Sequence, residues 1–494
     1  MDRVHNVLLA AQYLLFLLVL KVSITAIYNI YFHPLSKYPG PKLAVASRSF
    51  WSLLVISGYQ PQWIHKQHEI YGEVVRVGPD RLCYINPQAW KDIYGHRTGG
   101  RPENQKDRRF TETEVNGEDS VLSTPDVATH GRVRRLFANA FSERALKLQE
   151  PLIRKYVDQL IEAISRSTKE NKDSGMDMVK LFNCCTFDIM ADLTFGEPLG
   201  MLTESEYTPW VKKVFASIKI GAFFMLRNEY PLLKPIIEGL LPTSLRNKRK
   251  AHFEHSAERV DRRLAAGNPE GKADIWSLVL EKGKDLVSLG QMHANASLFM
   301  VAGTETTATM LSGLTYHLLK DTDKLKKVAD EVRALSEEDL SLERLPQLPY
   351  LNACFEEALR VYPPVPIGLP RVTPKEGTEI CGKWVPGNTR VTVTQWASNH
   401  SPLNFRDPDS FRPERWLPDS GYDTDNKGAM QPFSYGPRNC LGKNLAYHEM
   451  RIIFAKVMWN FDLELCQGSD GWPDQKAWNL WDKPQLLCKA RSIR

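Results

Sequence analysis

The stretch Phe433-Ser434-Tyr435-Gly436-Pro437-Arg438-Asn439-Cys440-Leu441-Gly442, near the end of a 494-residue chain, decides how the rest is read. Its cysteine has a glycine four positions before it and another two after, an arginine two before and an aromatic seven before. A lone cysteine is most often a small buried hydrophobe, and the chain holds eight. The neighbours argue for more. Pro437 ends whatever precedes it, and Gly436 and Gly442 permit backbone shapes and close approaches that a Cβ would block. Apolar Leu445, Ile452, Ile453 and Val457 predict a helix over 441–459. Cys440 then sits just before a helix N-terminus, where free N–H groups and the helix dipole favour a thiolate. An available thiolate beside two glycines is what a large, flat, metal-bearing cofactor needs.

Outward from this loop the composition is ordinary for a globular protein, 43% apolar and 25% charged. The net charge of +6, from 64 basic and 58 acidic residues, is mild, and no basic tract interleaves with aromatics. Nucleic acid is therefore not an expected partner. The cysteines are scattered with neither C-x-x-C nor zinc spacing, which predicts reduced thiols in a cytosol-facing domain. The chain contains no G-x-G-x-x-G, phosphate loop or G-x-S-x-G, so nucleotide binding and serine-hydrolase chemistry lack support.

Residues 4–32 are strongly apolar, with Lys21 between two apolar runs and no other Lys, Arg, Asp or Glu. About 20 such residues span a bilayer, with the lysine snorkelling to one face. A cleaved signal peptide fits less well, because Arg3 is offset by Asp2 and no clear A-x-A site follows the apolar run. His33, Lys37, Lys42 and Arg48 gather positive charge on the C-terminal side, which places the main domain in the cytosol. We expect an uncleaved single-pass anchor over 1–32, a proline-rich hinge over 33–45 and one domain over 46–494. A short hairpin is predicted over 71–85 and a long loop over 97–124. Helices are predicted over 148–165, 178–193, 209–225 and 252–265, and short strands after Pro363-Pro364. The expected class is mainly α with small β-sheets.

Three further stretches carry chemistry. Ala302-Gly303-Thr304-Glu305-Thr306-Thr307 lies in a helical run predicted over 286–320, about 50 Å long at ~1.5 Å per residue. Its centre is poor in helix formers, either a soft, small-residue packing site or a helix opened beside a reaction site. In the second reading Glu305 and Thr306 relay protons. Glu357 and Arg360 share one face of the helix predicted over 350–362. Arg415, in Phe411-Arg412-Pro413-Glu414-Arg415-Trp416, would complete a buried carboxylate flanked by two guanidiniums.

In this order, from anchor to final helix, these features resemble the cytochrome P-450 family of haem-thiolate monooxygenases. The resemblance implies a single large haem domain behind a transmembrane helix, with Cys440 as axial thiolate to the iron of haem b. Phe433, Gly436, Arg438 and Gly442 match the loop around that ligand. Ala302, Gly303, Glu305 and Thr306 match the oxygen-activation segment, Gly303 leaving room for O2 and Glu305 feeding protons. Glu357, Arg360 and Arg415 match a structural triad. His130 and Arg134, in His130-Gly131-Arg132-Val133-Arg134-Arg135, fall where relatives bind the haem propionates, although many have Trp where His130 stands. Arg371 and Arg438 look like the other propionate partners. The wording of residues 33–41 and 141–146 is similar to anchored filamentous-fungal members of secondary metabolism. The resemblance further implies an apolar small-molecule substrate contacted by the 97–124 loop, the 205–230 region, Ala302 and residues 365–369. It implies a monomer in the endoplasmic reticulum membrane, served by an NADPH–cytochrome reductase, with cytochrome b5 as a second donor, through basic surface near Arg132 and Arg135. Two alternatives stay open: a same-fold isomerase or dehydratase acting on a peroxide without reductase, and a non-catalytic haem sensor or carrier.

Overall fold

The computed structural model describes residues 2–97, 99–170, 175–240, 242–267, 271–281 and 287–494. Its first helix, Asp2–Ile27, runs into a π-helical turn over Tyr28–Phe32. The combined span is long and apolar enough to cross a membrane, and its most apolar stretch is buried against nothing in the protein. The far end is different. Asn29 is buried and donates through Nδ2 to the Ala46 carbonyl (2.9 Å). Arg76, itself 1% exposed, donates through Nη1 to the Asn29 carbonyl (2.8 Å) and through Nε and Nη2 to the Pro79 carbonyl (3.2 and 2.7 Å).

The proline-rich stretch that follows is packed down. Leu35 is fully buried, Tyr38 donates to the Trp384 carbonyl (3.1 Å), and the Pro39 carbonyl accepts from Arg76 N (2.7 Å). Lys42–Ala46 is helical, because Pro41 at the N-cap orders the approach and has no N–H to leave unpaired.

The largest sheet has five strands in the order Val74–Gly78, Arg81–Tyr84, Arg390–Val393, Arg371–Val372 and Gln105–Lys106. The first two form the expected hairpin, and Arg81–Tyr84 runs parallel to Arg390–Val393. Gln105–Lys106 lies inside the stretch expected to be loop; it pairs antiparallel with Arg371–Val372 and sets Lys106 opposite Arg371. Two polar residues carry no alternation, so nothing local announces this strand.

Helices make the main core. Met178–Phe195 is buried at every position except Lys180, the mark of a helix enclosed on all sides. Around it pack Glu143–Glu170, Leu289–Ala302 and Glu305–Leu319, and Lys443–Asn460 packs on the first and third of these. Observed helices outrun their expected bounds, as in Glu143–Glu170 and Thr243–Ala266, because their polar ends lack an apolar period.

The run expected over 286–320 is two helices, Leu289–Ala302 and Glu305–Leu319, with Gly303 and Thr304 in a turn between; Leu286 lies outside the described residues. The hydroxyls of Thr304, Thr306 and Thr307 donate back to the carbonyls of Met300 (2.6 Å), Ala302 (2.7 Å) and Gly303 (3.2 Å). Such back-bonding offers the carbonyls an alternative to helix N–H groups and bends the axis. The helix is opened where the threonines cluster.

Candidate active site

Local backbone chemistry shapes the cysteine loop. Gly436 has φ +75°, and a Cβ there would lie 2.0 Å from the Tyr94 carbonyl, so only glycine fits. Cys440 N donates to the Phe433 carbonyl (2.8 Å) and closes the loop, while the Phe433 ring packs against Tyr447 at 5.1 Å. Gly442 differs from expectation: its φ is −88°, and a Cβ would meet nothing nearer than Phe141 at 3.9 Å, so no protein atom demands glycine there.

The thiol also departs from expectation. Burial raises the Cys440 pKa above that of an ordinary thiol and outweighs the Gly442 N–H, Arg134 and Lys443, which lower it. The helix end alone therefore does not ionise this sulfur; a thiolate here needs a stronger partner such as a metal cation. Cys440 is nevertheless exposed, the only cysteine of the eight to be so. Exposure amid dense protein is that of a cleft wall.

Beside the loop three guanidiniums converge. Arg134 donates to the Asn439 carbonyl (2.6 Å) and Oδ1 (2.5 Å), tying the Val127–Ala138 helix to the residue before Cys440. Arg438 donates to the carbonyls of Thr124 and Pro125 (2.7 Å each). Arg371 is buried over the Tyr94 ring at 5.6 Å, held by no hydrogen bond among the described residues. Burial, then Arg438, Lys106, Arg134 and Arg371, drive the His130 pKa down to about 3. Burial, then Arg371 and Arg438, bring Lys106 to about 6. Two nearby carboxylates are engaged elsewhere, Asp119 with Arg108 (2.7 Å) and Asp126 capping its helix at Thr129 N (2.7 Å); among the described residues only Glu103 pairs with the group, at 3.8 Å from Arg438, one carboxylate against several cations. Buried, like-charged and under-compensated, this group fits a ligand carrying carboxylates. A thiol-bearing wall beside a carboxylate-seeking cluster is the donor set a haem requires. Lys106 was not legible in sequence; only the strand pairing brings it here.

The oxygen-activation segment is arranged around the helix break. Ala302 is exposed and Thr306, one turn on, half-buried, so one face of an otherwise buried helix pair stays open. A Cβ on Gly303 would strike Met190 (Sδ 2.7 Å, Cε 2.9 Å), so the missing side chain makes room for a core methionine. Glu305 is buried and ion-paired with Lys483. Burial pushes Glu449, on the helix that follows Cys440, up to about 8, with the neighbouring Thr307 hydroxyl opposing the rise. This contact joins the cysteine side of the site to the threonine segment.

The triad is assembled and fully buried. Glu357 Oε1 accepts from Arg360 Nη2 (2.8 Å), Arg415 Nε (3.1 Å) and Arg412 N (2.7 Å); Oε2 accepts from Arg360 Nε and Trp416 Nε1 (2.9 Å each). Arg360 also donates to the carbonyls of Asn399, Pro408 and Ser410 (2.8, 2.6 and 2.8 Å), and Arg415 to that of Arg406 (3.0 Å). The carboxylate thus pins the irregular segment that leads into the cysteine loop.

The Cytochrome P450 family profile matches residues 41–489. The chain is 49% identical over 472 residues to cytochrome P450 monooxygenase FUM2 of Gibberella moniliformis, across 94% of this chain and 100% of that one. It is 46% identical over 476 residues to cytochrome P450 monooxygenase AMT3 of Alternaria alternata, across 96% and 97%. It is also 46% identical over 475 residues to cytochrome P450 monooxygenase efuB of Hormonema carpetanum, across 95% and 94%. Membership implies haem iron on a cysteine thiolate, O2 as co-substrate and a redox partner that delivers electrons. The chain belongs to the cytochrome P450 family and is an oxygen-incorporating monooxygenase of small molecules.

Proposed function

We propose that this enzyme hydroxylates an apolar intermediate of fungal secondary metabolism at haem b iron held by Cys440. The observation that carries the assignment is the under-compensated cation group of Arg134, Arg371 and Arg438 with Lys106 and His130, set against the Cys440 loop. When bound, the haem supplies the oxidising chemistry, spending O2 and two electrons to insert one oxygen atom. The chain's own residues do the rest. The three arginines and Lys106 bind the propionates, whose charge would restore Lys106 to its ammonium form and draw a hydrogen bond from His130. Phe433 and Gly436 hold the cysteine loop, and Gly442 presents an N–H to the sulfur. Ala302 and residues 365–369, with buried Ile367, wall the substrate; in the 205–230 region the side chains of 216–220 and 222 lie outside the described residues. Thr306 keeps its hydroxyl at the open face, and Glu305 supplies it with protons.

Thr306→Ala tests the relay. Haem content and the thiolate-type CO spectrum are retained, product per NADPH falls about 10²-fold, and peroxide appears in its place. Purified enzyme that turns over a hydroperoxide fully without reductase, and nothing with NADPH, would instead be an isomerase.

Electrons come from a separate NADPH–cytochrome reductase, with cytochrome b5 as second donor, to a monomer anchored in the endoplasmic reticulum with its domain in the cytosol. The docking face is the Val127–Ala138 helix, which carries exposed Arg132 and Arg135 while its Arg134 grips the residue before Cys440. Arg135→Glu is expected to slow reduction about three- to ten-fold at low salt, a gap that closes as salt is raised. Stopped-flow reduction across ionic strengths measures it.

A further inference from the structure

The ion pair at Glu305 closes a small ring. Lys483 Nζ contacts Glu305 Oε1 and donates to Thr309 Oγ1 (2.7 Å), and Thr309 Oγ1 donates to the Glu305 carbonyl (2.6 Å). Glu305 Oε2 has no hydrogen-bond partner among the described residues. The Lys483 side chain is 2% exposed, a position lysine tolerates only when its charge is paired. Lys483 follows the two-stranded turn of Ala477–Trp478 and Leu480–Trp481, and its segment is fixed on both sides. Trp481 Nε1 donates to the Pro363 carbonyl (2.8 Å), Leu486 N to Asp177 Oδ1 (3.1 Å), and Met178 N to the Leu486 carbonyl (2.9 Å). The ammonium is thus delivered to Glu305 by a braced strap from the far end of the chain.

The groups acting on Glu305 are Lys483 and Asp482 from this strap, with Tyr207 and Tyr362 facing it from the neighbouring elements. Burial and Asp482 favour the neutral carboxyl; Lys483 alone favours the ion. Without this lysine the buried acid would hold its proton to higher pH.

We propose that Lys483 is the positioning residue of the proton relay, holding Glu305 by Oε1 so that Oε2 takes up and passes each proton. The proposal rests on the Glu305 relay reading given above. A proton arriving from solvent forms the O–H bond at Oε2 and neutralises Glu305, while Lys483 stays an ammonium held by Thr309. Passing that proton toward Thr306 breaks the O–H bond and restores the ion pair, with no change in oxidation state.

The test uses full-length holoenzyme as wild type, Lys483→Met, Lys483→Arg and Glu305→Gln. An infrared pH titration follows the protonated-carboxyl band that Glu305→Gln removes. A second measurement follows peroxide released per NADPH, with reductase and no added substrate, between about pH 6 and 9. In the wild type, peroxide rises over the pH range in which the band shows Glu305 losing its proton. Lys483→Met removes the one influence that lowers the Glu305 pKa, so its band and its peroxide rise both move at least about one pH unit higher. Lys483→Arg keeps the wild-type profile. An unmoved band, or peroxide raised equally at every pH, makes Lys483 merely structural and overturns the proposal. A moved band with unmoved peroxide also overturns it, leaving the relay intact. A Glu305→Gln profile equal to wild type overturns the relay reading itself, and the proposal with it.

Discussion

Glu357→Ala is expected to yield almost no haem-bearing protein. The substitution leaves Arg360 and Arg415, each 0% exposed, without the carboxylate both address. Removing one partner of a buried pair costs about 3–5 kcal/mol. Arg360, Arg415 and the Trp416 N–H lose a shared acceptor at once, while Arg415 keeps Asp425 and both guanidiniums keep their backbone carbonyls, so the loss falls within that range. Against a typical total stability of about 5–15 kcal/mol, a large share of the fold's margin goes. The damage also falls where it matters, because the same network anchors the carbonyls of 399–410 ahead of the cysteine loop. Haem-to-protein ratio and thermal unfolding, measured on whatever soluble protein is recovered, check this. A Glu357→Ala protein with full haem content and an unchanged Tm would remove the triad from the account.

Cys440→Ala should behave in the opposite way: a stable protein with no function. Cys440 is exposed and contributes little to packing, so unfolding should shift by no more than the few tenths to about 1 kcal/mol usual for a surface change. Its chemistry is not replaceable. Reduced and treated with CO, the variant should lack the thiolate-type absorption, and NADPH-driven product should fall to background. Survival of that spectrum would mean another residue ligates the iron.

How much of this was legible depended on how locally each feature is encoded. The cysteine loop could be read because its demands are steric and short-range: Gly436 faces the Tyr94 carbonyl, and Pro437 sits in the tight turn Gly436–Arg438. Two of the triad's three residues, Glu357 and Arg360, could be read from helical spacing; Arg415 joins them only through the fold. The break at Gly303 and Thr304 was foreshadowed by four poor helix formers in six residues, though not its position. What failed was long-range. Lys106 reaches Arg371 through a two-residue strand, and Lys483 reaches Glu305 across 178 residues of chain. Burial, which no window of sequence reports, reversed the expected ease of ionising Cys440. It was also a neighbour from another helix, Met190, that explained Gly303.

The five-stranded sheet touches both ends of the problem the enzyme solves. Its first strand holds Arg76, which grips the last turn of the anchor; its fourth and fifth hold Arg371 and Lys106, which face the cofactor side. Strands lie about 4.8 Å apart, so three to four spacings separate these contacts by roughly 15–20 Å. The anchor is therefore no slack tether. The sheet works as a gauge block, fixing the distance between the end of the apolar N-terminal span and the cationic cluster beside the cysteine loop.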